Sequence, residues 1–213
     1  MEENKDSLKE RLVKTIDPQS LGTKFKKYIS VGWEFFKIAI IAAIIVLPIR
    51  YFIFQPFIVK GESMLPNFHS GDYLIVDQIS YKIKDPKRGD VIVFKYPLDV
   101  SQRYIKRIIG LPYEKVEIIN GEIIISKVTS EGLEGNSEKL ILSEEEYLPN
   151  FKDTEGGLSV TLSENEFFVL GDNRQFSYDS RKWGILPQKN IIGKAIFRVF
   201  PVQNMLYIRE TNY

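Results

Sequence analysis

A chain of 213 residues with 44% hydrophobic and 27% charged side chains has ordinary globular composition and room for one anchored domain or two small ones. A formal net charge of +1 gives no basic footprint, so nucleic acid is not an expected partner. With no cysteine and a single histidine, His69, the chain excludes disulfides, thiolate or multi-histidine metal sites and a cysteine nucleophile, and no metal or other cofactor is expected.

Residues 1–32 are polar and charged, with helix-like apolar spacing at Leu8, Leu12 and Ile16 that Asp17-Pro18 brings to an end. This region reads as a polar tail. An uncharged run follows from Ile38 to Ile49, twelve residues long. Alone it suits a buried soluble helix, because a span needs about 20 mainly apolar residues. Its flanks lengthen it. Trp33, Tyr51, Phe52 and Phe54 suit interfacial belts, Lys37 can extend toward an interface, and Pro48 is tolerated within a membrane helix. Residues 33–55 therefore predict a transmembrane anchor in a lipid bilayer. A cleavable leader fits less well, since about 30 mostly polar residues precede the run and bulky Phe, Ile and Tyr follow it. Lys24, Lys26, Lys27 and Lys37 outweigh Arg50 and Lys60, which puts the N-terminus in the cytoplasm and the remainder outside.

From residue 56 onward the pattern changes to short apolar runs between turns. Tyr73–Val76 follows Gly71-Asp72, Val91–Phe94 follows Gly89-Asp90, and Tyr104–Ile109 ends at Gly110-Leu111-Pro112. Val116–Ile119 and Ile123–Ile125 flank Asn120-Gly121, a hairpin signal because Asn-Gly supplies the positive φ of a tight turn. Phe167–Leu170 and Ala195–Phe200 complete the set. Many short strands predict a mainly β, antiparallel domain of barrel or sandwich type over 56–213. Residues 126–163 are rich in Ser, Gly and Glu. With the run Glu144-Glu145-Glu146 they read as a variable insert, a solvated loop or small β-subdomain.

Three polar pieces stand out against this background. Gly61-Glu62-Ser63-Met64-Leu65-Pro66 sets a serine in a turn bounded by Gly and Pro. Such a serine is often only a turn residue, but it is also well exposed for attack. Arg103-Tyr104-Ile105-Lys106-Arg107-Ile108-Ile109-Gly110 reads as a strand with Tyr104, Lys106 and Ile108 on one face. A lysine between two bulky groups is either solvent-facing or desolvated, and desolvation lowers its pKa. Gly171 to Gly184 is a dense polar loop directly after an apolar strand, holding Ser177, Asp179 and Arg181.

Gly-x-Ser-Met-x-Pro, Tyr-Ile-Lys-Arg-x-x-Gly-Leu-Pro and Gly-Asp-Asn-x-x-x-Ser-x-Asp-Ser-Arg, in that order after one span, closely resemble the boxes of type I signal peptidases. These are membrane-bound serine–lysine proteases. The resemblance runs from about Gln55 to Pro201 and matches the 126–163 insert weakly. It implies Ser63 as nucleophile, Lys106 as general base, Ser177 as the hydroxyl that orients the lysine, and Asp179 and Arg181 as a supporting ion pair. In one branch of the family a serine two positions before the nucleophile donates to the oxyanion hole. Gly61 stands there in this chain, which leaves the Ser63 backbone N–H as the main donor. Pro66-Asn67-Phe68 departs from the family's Pro-Thr-Leu.

The implied partners are signal peptides of exported preproteins, cut after Ala-x-Ala-like ends. An extended peptide would pair with the edge Gln55–Glu62, and Phe57, Val59, Met64, Phe68, Tyr104 and Ile105 would crowd the pockets so that only small side chains enter. The implied location is the cell membrane, single-pass, with the catalytic domain outside. Two other readings compete. A self-cleaving serine–lysine protease of the repressor type would need a DNA-binding N-terminus where this chain has its apolar run. An anchored β-domain that binds envelope partners explains the strands but not the three ordered motifs.

Overall fold

Residues 18–48, 54–128, 139–145, 147–148 and 154–209 are described in the structure, a computed structural model. The chain divides into two units, residues 1–50 and 51–213.

Among the described residues the first unit contains one helix, α1 (Pro18–Pro48). Pro18 stands at the first position of this helix, where a missing N–H and a fixed φ cost nothing. The helix crosses the expected border between tail and anchor at 32/33. The apolar spacing at Leu8, Leu12 and Ile16 lies outside the described residues. The expected span over 33–55 is not reproduced at its far end. Residues 49–53 are outside the described set, and Phe54 and Gln55 belong to a β-strand, paired with Asp77 and Val76. Among the described residues no helix is long and apolar enough to cross a membrane.

The second unit is built on alternation. In β2 (Tyr73–Asp77), Leu74 and Val76 are buried while Tyr73 faces out. The same period-2 pattern recurs in β5 (Glu114–Ile119), with Val116 and Ile118 inside. Among the described residues the larger sheet has eight strands, all antiparallel. These are β1 (Phe54–Ile58), β2, β3 (Val91–Tyr96), β4 (Asp99–Gly110), β9 (Glu166–Leu170), β10 (Leu186–Pro187), β11 (Ile191–Phe200) and β12 (Leu206–Tyr207). Their order is β1-β2-β11-β3-β4-β9-β10, with β12 on β11. The described pairings leave β1 and β10 as open ends, so they do not close a barrel.

A second, four-stranded sheet is inserted between β4 and β9. It consists of β5, β6 (Glu122–Lys127), β7 (Leu140–Ile141) and β8 (Leu158–Thr161), in the order β7-β6-β5-β8. The insert expected at 126–163 therefore begins earlier, at β5. Regular strands 114–119 and 122–127 gave no compositional break to mark its start. The β5–β6 turn is the expected Asn120-Gly121, both residues at positive φ of 51° and 88°.

Two sheets with one apolar face each must bury those faces. Ile109, Phe168 and Leu170 of the larger sheet meet Val116, Ile118, Ile123 and Ile125 of the smaller one. Beneath the β1–β2 end a separate cluster gathers Val59, Met64, Phe68, Leu74, Val76, Val93 and Ile105. The opposite face of the larger sheet buries Ile92, Phe94, Ile108, Phe167 and Val169. Phe168 is fully buried where the two sheets join. Phe168→Ala is expected to destabilise the domain by about 3–5 kcal/mol, read as a lowered denaturant midpoint; an unchanged midpoint would mean the two sheets are not coupled through this side chain.

Candidate active site

Three parts of the larger sheet converge. The turn after β1 carries Ser63, β4 carries Lys106, and the loop after β9 carries Ser177, Asp179 and Arg181. Gly61 to Asn67 form a tight turn held by Leu65 N–H to the Glu62 carbonyl at 3.2 Å and Phe68 N–H to the Met64 carbonyl at 2.9 Å. Met64 is fully buried, and Val59 exchanges hydrogen bonds with Asp72 and Gly71 at 2.9 Å. The turn is thus pinned from below, and Ser63 is left half-buried at its crest.

Lys106 lies opposite Ile92 in the β3–β4 ladder and is only 4% exposed. Its Nζ donates to Ser63 Oγ at 2.6 Å and to the Ile105 carbonyl at 2.9 Å. The Tyr104 ring is 5.8 Å from Nζ, as strand alternation suggested, and Ile108 beyond it is fully buried. Burial lowers the Lys106 pKa from 10.5 to about 8, against an opposite pull from Asp179 and Asp172.

The Gly171–Arg181 loop is tied to the Ser63 turn. Asn173 N–H donates to the Ser63 carbonyl at 3.1 Å, and Asn173 Nδ2 donates to the Glu62 carbonyl at 3.1 Å. Gly171 presses between two of these parts. A Cβ there would lie 2.2 Å from Ser177 Oγ and 2.4 Å from the Ser63 carbonyl oxygen, so only glycine fits. Asp179 accepts from Gly171 N–H at 3.1 Å and from Arg181 Nε and Nη2 at 2.9 Å each. It also caps the short helix α2 (Ser180–Trp183). Ser177 Oγ is buried and has no hydrogen-bond partner among the described residues.

An open cleft of about 670 Å³ lies above the pair. Phe57, Gly61, Ser63, Tyr104, Ile105 and Lys106 line it, all of them named from the sequence. Val59, Met64 and Phe68 do not; they lie in the apolar cluster beneath. Lys60 lies on the expected edge Gln55–Glu62, and the cleft adds Arg103, Phe176 and Tyr178, which sequence reasoning missed because exposed loop and strand-end residues carry no pattern. Gly61 N–H donates to Ser70 Oγ at 3.3 Å. Also missed was the buried pair Arg107–Asp172, bidentate at 2.8 and 2.7 Å, with Arg107 Nη1 on the Gly89 carbonyl at 2.9 Å. Both residues sit inside the quoted motifs, so their positions were visible and their partnership was not. Among the described residues no cluster of His, Cys, Asp or Glu is arranged to hold a metal.

This arrangement can take a proton from a hydroxyl and return it. Because Lys106 titrates near 8 when folded and near 10.5 when unfolded, the unfolded chain binds more protons between those values. Stability from this group therefore rises with pH across that window, and the charged lysine opposes folding below pH 8. Lys106→Met should raise the unfolding midpoint at pH 7, and the gain should fade toward pH 10.5. Thermal unfolding across pH checks this, and a gain independent of pH would contradict it.

A family model described as "Signal peptidase, peptidase S26" matches residues 32–200. The chain is 37% identical over 181 residues to the probable signal peptidase I-1 of Synechocystis sp., covering 79% of this chain and 85% of that one. It is 37% identical to signal peptidase I of Leptolyngbya laminosa, covering 78% of each. Signal peptidase I of Bacillus amyloliquefaciens is 35% identical, over 81% of this chain and 88% of that one.

Proposed function

The chain belongs to the signal peptidase family, peptidase S26, and on that footing we propose that it is a membrane-anchored serine endopeptidase that removes N-terminal signal peptides from exported preproteins. Ser63 is the nucleophile and Lys106 the general base. The observation that carries this reading is the 2.6 Å approach of Lys106 Nζ to Ser63 Oγ, two residues 43 positions apart.

A hydroxyl is a weak nucleophile and needs a base within about 2.6–3.2 Å. Neutral Lys106 has two N–H groups and one lone pair. One N–H is held by the Ile105 carbonyl, which leaves the lone pair free to accept the Ser63 O–H. Ser63 Oγ then attacks the scissile carbonyl carbon as its proton passes to Lys106. The oxyanion that forms is received by the Ser63 backbone N–H. Collapse breaks the C–N bond, and the Lys106 ammonium gives its proton to the leaving amine. Water, deprotonated by the same amine, releases the acyl group. Ser177 orients Lys106, a role supported by its buried, unpartnered hydroxyl.

Substrate selection follows from the cleft. Among the described residues β1 is an edge strand paired only with β2, and β4 pairs with β9 only from Arg107 onward. Two strand edges thus border the cleft, and an extended peptide can hydrogen-bond to them. Phe57, Tyr104 and Ile105 narrow the pocket, backed from below by Val59, Met64 and Phe68. That favours alanine-sized side chains. Anchoring is assigned to the apolar part of α1, where Trp33, Phe35, Phe36, Ile38, Ile41, Ile44, Ile45 and Leu47 are all exposed. A helix apolar all round is suited to lipid. The lysines before it place the N-terminus in the cytoplasm and the catalytic domain outside.

Ser63→Ala and Lys106→Met, incubated with a signal-peptide-bearing preprotein, should each lose cleavage by at least about 10⁴-fold, and wild-type kcat/KM should rise with pH through about 8. Undiminished cleavage by either variant sinks the dyad, and a profile flat from pH 6 upward contradicts a neutral lysine base. Phe57→Ala should admit larger side chains at the cleavage site, read by sequencing the mature N-termini; unchanged site choice would remove Phe57 from the pocket.

A further inference from the structure

Glu144 belongs to an acidic run that reads in the sequence as solvated, yet it is 4% exposed. Its carboxylate accepts from both Nη1 and Nη2 of Arg174 and from the Tyr147 phenol. Thr154 Oγ1 accepts from Arg174 Nη1 at 2.9 Å, and Tyr147 Oη accepts from Nη2 at 3.1 Å. Those partners orient the planar guanidinium and aim Nε at the Gly171 carbonyl, 3.0 Å away. Gly171 is the residue wedged between Ser177 and the Ser63 carbonyl. Further along, the Arg174 carbonyl accepts from Arg181 Nη2 at 2.6 Å.

The same segment reaches the other two parts of the site. The Tyr147 ring lies 4.1 Å from the Arg107 guanidinium, next in sequence to Lys106. The Tyr147 carbonyl accepts from Asn67 Nδ2 at 2.9 Å, at the end of the nucleophile turn, and Asn67 Nδ2 also donates to Asp172 at 2.8 Å. One piece of the inserted sheet region therefore touches the nucleophile turn, the lysine strand and the polar loop.

A buried ion pair is weak evidence of stabilisation, because apolar residues of similar volume often serve as well. What it adds over apolar packing is direction. We propose that Glu144 and Tyr147 are positioning residues for the Ser63–Lys106 pair, holding Arg174, Arg107 and Asn67 so that the Gly171–Arg181 loop stays closed over Lys106. The inserted sheet is then part of the catalytic apparatus rather than an appendage. This inference rests on the proteolytic reading above.

The experiment compares full-length wild type, Ser63→Ala, the paired replacement Glu144→Met with Arg174→Met, Glu144→Asp and Tyr147→Phe, on one preprotein. The paired replacement should keep its thermal midpoint near wild type while kcat falls about 10- to 100-fold and KM changes little. Its acid limb should move to higher pH, because a loosened loop lets water reach Lys106. Tyr147→Phe should show a smaller loss in the same direction, and Glu144→Asp should retain most of the activity. A folded paired replacement with wild-type kcat and an unmoved acid limb overturns the proposal. Should that protein not fold, Tyr147→Phe decides: a lowered kcat with a shifted limb supports positioning, and wild-type values for both overturn it. A wild type that cleaves alongside an inert Ser63→Ala keeps the proteolytic reading intact in either case. Cleavage by Ser63→Ala at the wild-type rate removes that reading and this inference together.

Discussion

Lys106 is held almost wholly out of water near two carboxylates, Asp172 and Asp179, and among the described residues it forms an ion pair with neither. Both aspartates raise its proton affinity, and burial outweighs them. The balance holds because each aspartate has an arginine of its own. Asp172 is held bidentately by Arg107, and Asp179 by Arg181. A carboxylate satisfied in this way contributes less net charge at a distance than a bare one. Were either arginine missing, the freed carboxylate would favour the ammonium form, and a charged lysine cannot accept a proton.

The larger sheet makes this arrangement possible by bringing distant segments to one place. β4 presents Lys106 and Arg107 on opposite faces, so one residue enters the cleft while its neighbour anchors the loop from the other side. The Ser63 turn is fixed by a fully buried Met64 below and by Asn173 above. Ser63 therefore needs no large rearrangement to meet the amine. The smaller sheet shares an apolar cluster with β4 and β9, the two strands that lead into the lysine and the loop. Its connection also supplies Glu144 and Tyr147, which tie all three segments together.

Much of this is legible in the sequence. The strands around Leu74, Val93, Ile108, Ile118, Ile125, Val169 and Ala195 follow from alternation and turn punctuation, and the Asn120-Gly121 hairpin follows from backbone sterics. Ser63 and Lys106 stood out through their motifs. Other features were not legible. Glu144 looked solvated because a short acidic run has the same composition whether or not an arginine distant in sequence meets it. The smaller sheet began at β5 rather than at 126, because its first hairpin has ordinary strand composition. Val59, Met64 and Phe68 lie beneath the cleft. Alternation gives the face of a side chain but not what covers that face.

The chain's sequence by itself determined the antiparallel β class, the apolar N-terminal segment and the residue types of a serine–lysine pair, because these depend on local periodicity and short-range motif order. Only the tertiary structure decided that Lys106 is dry, that Nζ sits 2.6 Å from Ser63 Oγ, and that each nearby aspartate is matched by an arginine. Desolvation and charge pairing depend on what packs around a group from every side. For Lys106 those neighbours come from Ser63, Tyr104 and the loop after β9, which no window along the sequence contains together.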